Sequence, residues 1–388
     1  MSALDRIRGY HDELTAIRHD LHTHPELGLE EYRTSEIVAA KLAEWGIEVH
    51  RGVGKTGVVG VLRSGNGQGR IGLRADMDAL PIMEANDVAY RSQTPGVMHA
   101  CGHDGHTTML LGAARYLAET RAFNGTVHFI FQPGEEGIGG ALAMLDDKLF
   151  ERFPCDSVFG MHNRPNMPVG EFAICPGTAM AGGAFFDITI EGRGAHGAHP
   201  ESGIDPVVVA CHLGTALQSI VARSIAPSET AVLSVTKLVS GDAYNVIPQK
   251  ATLSGTARAF KPAVMQQIED RMRALANGVA EGFGAKAQVD FRVIFSPLVN
   301  DPVQTKALAD AAATLVGEAK TDRNKAPTMG SEDFAFMMEK VPGAYILVGG
   351  GDGAAPHHPQ FNFNDETTPY GAALYAQIVE ESLPRGTV

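Results

Sequence analysis

Cysteine is scarce in this chain, and so is any excess of positive charge. Four Cys (Cys101, Cys155, Cys175 and Cys211) among 388 residues are too few and too scattered for a disulfide framework, so a reducing, cytoplasmic setting is expected. Lys and Arg number 32 against 45 Asp and Glu, a net charge of −13. That balance argues against nucleic acid or anionic membrane as a partner, and an anionic ligand would need a local positive site. No 18 apolar residues run together, and the N-terminal MSALDRIRGYHDELTAIRHD is charged throughout, so neither a membrane span nor a secretory signal is expected. No G-x-S-x-G elbow offers a serine nucleophile. GVGKTG at 52–57 is not a phosphate loop, because Val49 rather than Gly stands five before Gly54 and a strand follows. GGGDG at 349–353 is a turn after a strand, and no segment is of low complexity. What is abundant is histidine, with fifteen residues.

Apolar residues make up 44% of the chain and charged residues 20%, enough to build a sizeable core. Helical spacing over 4–20 and 30–45 is followed by strand-like runs at 58–62, 71–75, 126–132 and 157–162, with helical segments near 105–120 and 139–150 between the later ones. This alternation indicates an α/β architecture, a three-layer catalytic domain around a mixed central sheet. From about residue 183 the order becomes strand, helix, strand, strand, helix, strand, the split βαβ pattern of ferredoxin-like domains. After Pro297 the α/β pattern resumes, with helices at 303–319, 331–340 and 369–383 and a strand AYILVGG. The expected division is a discontinuous catalytic domain, residues 1–182 and 296–388, with a ferredoxin-like α+β domain, 183–295, inserted in it.

The densest chemical cluster is HACGHDGH at 99–106. Cys101 and His103 are two apart around Gly102, so in an extended segment both point to one side and can close on one metal. QPGEEG at 132–137 follows an apolar strand, where α/β folds place functional loops. There one carboxylate of Glu135 and Glu136 can bind metal while the other handles a proton. His162 ends another strand, and His357 and His358 lie in the loop APHHPQFNFND. Cys101, His103, one Glu, His162 and one of the terminal pair would hold one or two divalent ions. Asp76 and Asp78, on one face at a strand end, suit the support of ligating His. A thiol hydrolase using Cys101 with His103 as base is the rival, disfavoured because residues two apart rarely meet nucleophile-to-base geometry.

Ten motifs in order make a specific resemblance: GLRADMDALP, MHACGHDGHT, QPGEEG, GMHN, GRGAHGAHP, the DP at 205–206, NVIP, GTARAF, MGSEDFAFM and PHHPQFNFND. From about residue 10 to 383 the chain resembles the amidohydrolase branch of the dinuclear metallocarboxypeptidase and aminoacylase family. That branch includes hippurate hydrolase, N-acetyl-amino-acid deacetylases and plant auxin-conjugate hydrolases.

The resemblance implies two divalent metal ions per subunit, held by Cys101, His103, Glu136, His162 and His357, with Glu135 as general base. It selects His357 because the ligand stands two before a proline, here Pro359; His358 is the rival. It further implies that the inserted domain makes a homodimer, with tetramers as an extension. His196 would reach across that dimer, and Asn245 and Arg258 would receive the carboxylate of a small N-acyl amino acid. Relative to the carboxypeptidases, Asp76 stands where a metal-binding His is found and Cys101 supplies a thiolate. That departure points to an amidohydrolase and admits Zn, Mn, Co or Ni. The alternatives are a dipeptidase or carboxypeptidase of the same family, or a non-catalytic conjugate-binding homologue.

Overall fold

Leu73 and Ala75 of the strand Arg70–Asp76 point to one side of a sheet and Arg74 to the other, and this alternation sets the layers of the first unit. On one side Leu73, Ala75, Phe129 and Phe131 share a core with Met109 and Leu110 of the helix His103–Thr120 and with Leu374 and Ile378 of the last helix, Thr368–Ser382. On the other side the Arg74 guanidinium lies 5.4 Å from the ring centre of Phe334, in the short helix Phe334–Met338. The computed structural model describes residues 2–385.

The sheet has eight strands, in the order Glu48–Val53, Gly57–Ser64, Gly125–Gln132, Arg70–Asp76, Ser157–Arg164, Gly343–Gly349, Phe172–Ile174, Thr321–Asp322. Its four central strands, from Gly125–Gln132 to Gly343–Gly349, are parallel, with Asp76 opposite Gln132 and Leu347 opposite His162. The first two strands and Phe172–Ile174 pair antiparallel, so the sheet is mixed, in a mixed α/β fold. All four parallel strands end at one edge, where open α/β sheets place their sites.

Several helices are shorter than their periodicity suggests. The expected helix 4–20 is two, Ala3–Arg8 and His11–Thr23, because Gly9 caps the first. The segment 139–150 breaks at Lys148, whose φ of 61° is left-handed, into Gly140–Asp146 and Leu149–Arg152. The expected helix 331–340 contracts to Phe334–Met338.

By contacts the chain forms two compact units. The first is Met1–Ala179, Val299–Ala326 and Asp333–Val388; the second is Met180–Leu298 with Pro327–Glu332. The last of these segments lies within the stretch that the sequence division gives to the catalytic domain. In the second unit a four-stranded antiparallel sheet runs in the order Ala231–Ser240, Lys250–Ala259, Gly182–Glu191, Lys286–Phe295. Alternate residues Ala184, Phe186, Ile188 and Ile190 bury against Val209, Leu213 and Leu217 of Pro206–Ser219 and Ile268, Met272 and Ala276 of Pro262–Gly282. By length and composition Pro206–Ser224 is apolar enough to cross a membrane. Here its buried residues belong to this core.

Candidate metal centre

The chain does not run extended through Cys101 and His103. Gly102 takes a left-handed φ of 97°, where a Cβ would lie 2.4 Å from Asn163 Oδ1, and His103 opens the long helix His103–Thr120. The two side chains still converge, because the glycine turn replaces the side-to-side alternation of an extended segment. Cys101 Sγ lies 3.3 Å from His162 Nε2, and the ligating atoms of Cys101, His103 and His162 all lie within 4.8 Å of one another.

A second group within the same limit is Cys101, Glu136 and His357, so the two groups share the thiol of Cys101. His357 sits at a φ of 67°, with its amide bonded to Ala100 O at 2.7 Å, which turns its ring toward Glu136; Nε2 to Oε1 is 3.1 Å. His358 belongs to neither group, and its Nδ1 accepts the Gln360 amide at 3.1 Å. A third group, His103 with Glu135 and Glu136, places the buried Glu135 beside the others. Its Oε1 accepts the Asp333 amide at 3.3 Å.

Asp78, just beyond the end of Arg70–Asp76, orients this set. Asp78 Oδ1 lies 3.1 Å from His103 Nδ1 while its Oδ2 accepts the Glu136 amide at 3.0 Å. Asp76 does not hydrogen-bond to His103. It is held by Arg74 at 2.7 Å and by His106 Nδ1 at 2.6 Å, and His106 Nε2 in turn meets Asn163. Arg74, His106, Asn163 and Asp333 went unnoticed in the sequence. The available signal was a buried Arg in an otherwise apolar strand, which must be paired.

The donor set fits divalent transition metal ions. His103 Nε2 is buried without a hydrogen-bond partner, a costly condition that a cation relieves. Mixed thiol, imidazole and carboxylate ligands are those such ions take. Burial pushes the Cys101 thiol up to about 12 and His162 down to about 3. For His103, burial opposes the charged form, but Asp76 and the hydrogen bond to Asp78 outweigh it and hold the imidazole well above its ordinary value. The hydrogen bond to Glu136 raises His357.

The remaining candidates lie in the second unit. His196 is exposed on the short strand Ala195–His196, which pairs with Val246–Ile247, and Asn245 O accepts the Gly197 amide at 2.7 Å, so His196 and Asn245 share one small ribbon. Arg258 is carried separately on Lys250–Ala259, half-buried and hydrogen-bonded to the Ser331 hydroxyl, which donates to Ala181 O at 2.8 Å. Burial lowers its pKa.

The sequence profile of peptidase family M20/M25/M40 matches residues 72–381. The chain is 41% identical over 378 residues to a hippurate hydrolase of Campylobacter jejuni, covering 97% of this chain and 98% of that protein. It is 37% identical to an N-acetylcysteine deacetylase of Bacillus subtilis, covering 96% and 97%. A solved structure from Bacillus subtilis, described as a dinuclear metal binding peptidase from the M20 family, superposes with a TM-score of 0.84 at 34% identity, covering 97% of this chain and 99% of that one.

Proposed function

The chain belongs to peptidase family M20/M25/M40, and on that footing we propose that it hydrolyses N-acyl amino acids, hippurate-like, N-acetyl or related conjugates, to a carboxylic acid and a free amino acid. The observation that carries this reading is the pair of donor groups sharing Cys101, with the buried carboxylate of Glu135 beside them.

We assign Cys101, Glu136 and His357 to one divalent ion and Cys101, His103 and His162 to a second; Zn, Mn, Co and Ni all suit these donors. When bound, such ions polarise the scissile carbonyl and acidify water. Glu135 takes the proton of the attacking water and returns it to the leaving amine. Asp78 fixes the ring of His103 and the backbone of Glu136, so the metal side and the acid loop keep one spacing.

His196, supplied by the neighbouring subunit of a homodimer, donates to the developing oxyanion, a contribution of roughly 3 to 4 kcal/mol for one well-placed donor. Asn245 and Arg258 receive the free carboxylate, for which the planar guanidinium offers two parallel hydrogen bonds. The absence of an ion pair to Arg258 among the described residues supports that role. The outer strand Ala231–Ser240 pairs on one side only and exposes Val232, Leu238 and Val239, which supports dimer formation there. Four free cysteines accord with a reducing cytoplasm.

The test is incubation of the purified protein with benzoyl, acetyl and indole-acetyl amino acids and with a dipeptide, alongside metal analysis of the same sample. Hydrolysis of an acyl amino acid, lost on chelation and restored by divalent metal, is expected. Preference for the dipeptide makes the protein a peptidase, and binding without product makes it a conjugate-binding homologue.

A further inference from the structure

Behind the acid loop lies a carboxylate that none of these roles uses. Glu31 is 0% exposed, and Glu is almost never fully buried without partners. Its Oε1 accepts the Gly134 amide at 2.8 Å and its Oε2 accepts the Thr56 hydroxyl at 2.5 Å. Gly134 immediately precedes Glu135 and takes a φ of 57°, so the direction of its amide is set by the turn that also aims the next side chain. The loop closes on itself through the Gly140 amide and Gly134 O, 2.9 Å apart.

The surrounding chain leaves this loop little room. A Cβ on Gly28 would lie 2.9 Å from Gly134 Cα and 2.8 Å from Ile138 Cδ1, and one on Gly140 would lie 1.6 Å from Pro133 O. The Leu29 side chain packs where a Gly134 Cβ would project, and Pro133 packs against Gly57, next to Thr56. Glu31 therefore joins three segments: its own, the turn before Gly57–Ser64, and the acid loop. Burial, with the charge of Asp78 adding to it, pushes its carboxyl up to about 7, so a neutral form is well populated near neutrality. An oxygen that accepts the Gly134 amide is present in either form.

We propose that Glu31 is a positioning residue that pins the Gly134 amide and thereby sets the aim of Glu135. The role rests on the reading of Glu135 as general base, and it depends on the reach of the Glu31 side chain rather than on its charge. Glu31→Gln keeps the reach and the acceptor; Glu31→Asp keeps the charge and loses a methylene.

The experiment measures kcat and KM of the metal-loaded variants on an N-acyl amino acid, and amide hydrogen exchange at Gly134 in the wild-type protein and both variants. The expected result is a kcat for Glu31→Gln within about threefold of wild type and a kcat for Glu31→Asp lower by roughly ten- to hundredfold, the scale of a misplacement near 1 Å. KM and metal content stay unchanged, and exchange at Gly134 is faster in Glu31→Asp alone. Equal kcat in both variants, or a greater loss in Glu31→Gln, overturns the proposal. Should Glu31→Asp fail to fold, the wild-type protein still decides: a Gly134 amide exchanging at the rate of an unstructured loop overturns the clamp. If the wild-type protein hydrolyses no acyl amino acid, the functional reading fails, and Gly134 exchange reports on the clamp independently.

Discussion

Asp78 joins the two halves of the metal centre: one carboxylate oxygen lies 3.1 Å from His103 Nδ1 and the other accepts the amide of Glu136 at 3.0 Å. A single side chain thus fixes both the ring of one proposed ligand and the backbone of another. Removing it as Asp78→Ala should lower metal affinity by roughly ten- to hundredfold, the usual effect of losing such a partner. Competition against a chelator of known affinity measures this, and an unchanged affinity would reject the role.

The buried His22 gives stability a defined pH dependence. Its Nδ1 meets Asp104 at 2.8 Å and its Nε2 meets Glu84 at 3.1 Å. Burial pushes the imidazole down, but the two carboxylates outweigh it and raise the group from 6.5 to about 9. A raised histidine contributes stability that is fully present below its unfolded value and is lost as pH climbs through the folded one. Denaturant midpoints of the metal-loaded protein should therefore fall between about pH 6.5 and 9, and His22→Gln should flatten that fall. A wild-type midpoint that is constant over this range would contradict the assignment.

If His196 serves the neighbouring subunit, two inactive proteins should repair each other. His196→Ala and Glu135→Gln, unfolded and refolded together, form heterodimers in which one site has both groups intact. Activity should recover to about a quarter of wild type, since statistical pairing makes half the molecules mixed dimers with one complete site each. Mixtures no more active than their parents would place His196 outside the partner's site.

The parallel strands of the large sheet, the strand Gly57–Ser64 and the four strands of the second unit were legible from strand and helix periods, whereas Glu48–Val53, which is largely exposed, and the very short Phe172–Ile174 and Thr321–Asp322 were not. Helix ends were less legible: Gly9 and Lys148 interrupt apolar patterns that continue past them. In the site, residue types near strand ends identified Cys101, His103, Glu135, Glu136 and His162 as candidates, and the structure brings them together. The local path was not legible, since the left-handed turn at Gly102 is fixed by the space that Asn163 leaves, far away in sequence. Residue type left His357 and His358 level, the resemblance favoured His357 by its distance from Pro359, and in the structure it is His357 that lies with Cys101 and Glu136. Glu31 gave no signal at all, because its partner Gly134 is 103 residues away and a lone Glu before a helix reads as a solvated face.

The most direct measurement is turnover of N-benzoylglycine by Glu135→Gln, with the metal content of wild type and variant measured in parallel. The account predicts a fall in kcat of at least about a hundredfold, the scale of a lost general base, with metal content unchanged. Turnover near the wild-type rate in a fully metal-loaded Glu135→Gln protein would contradict it.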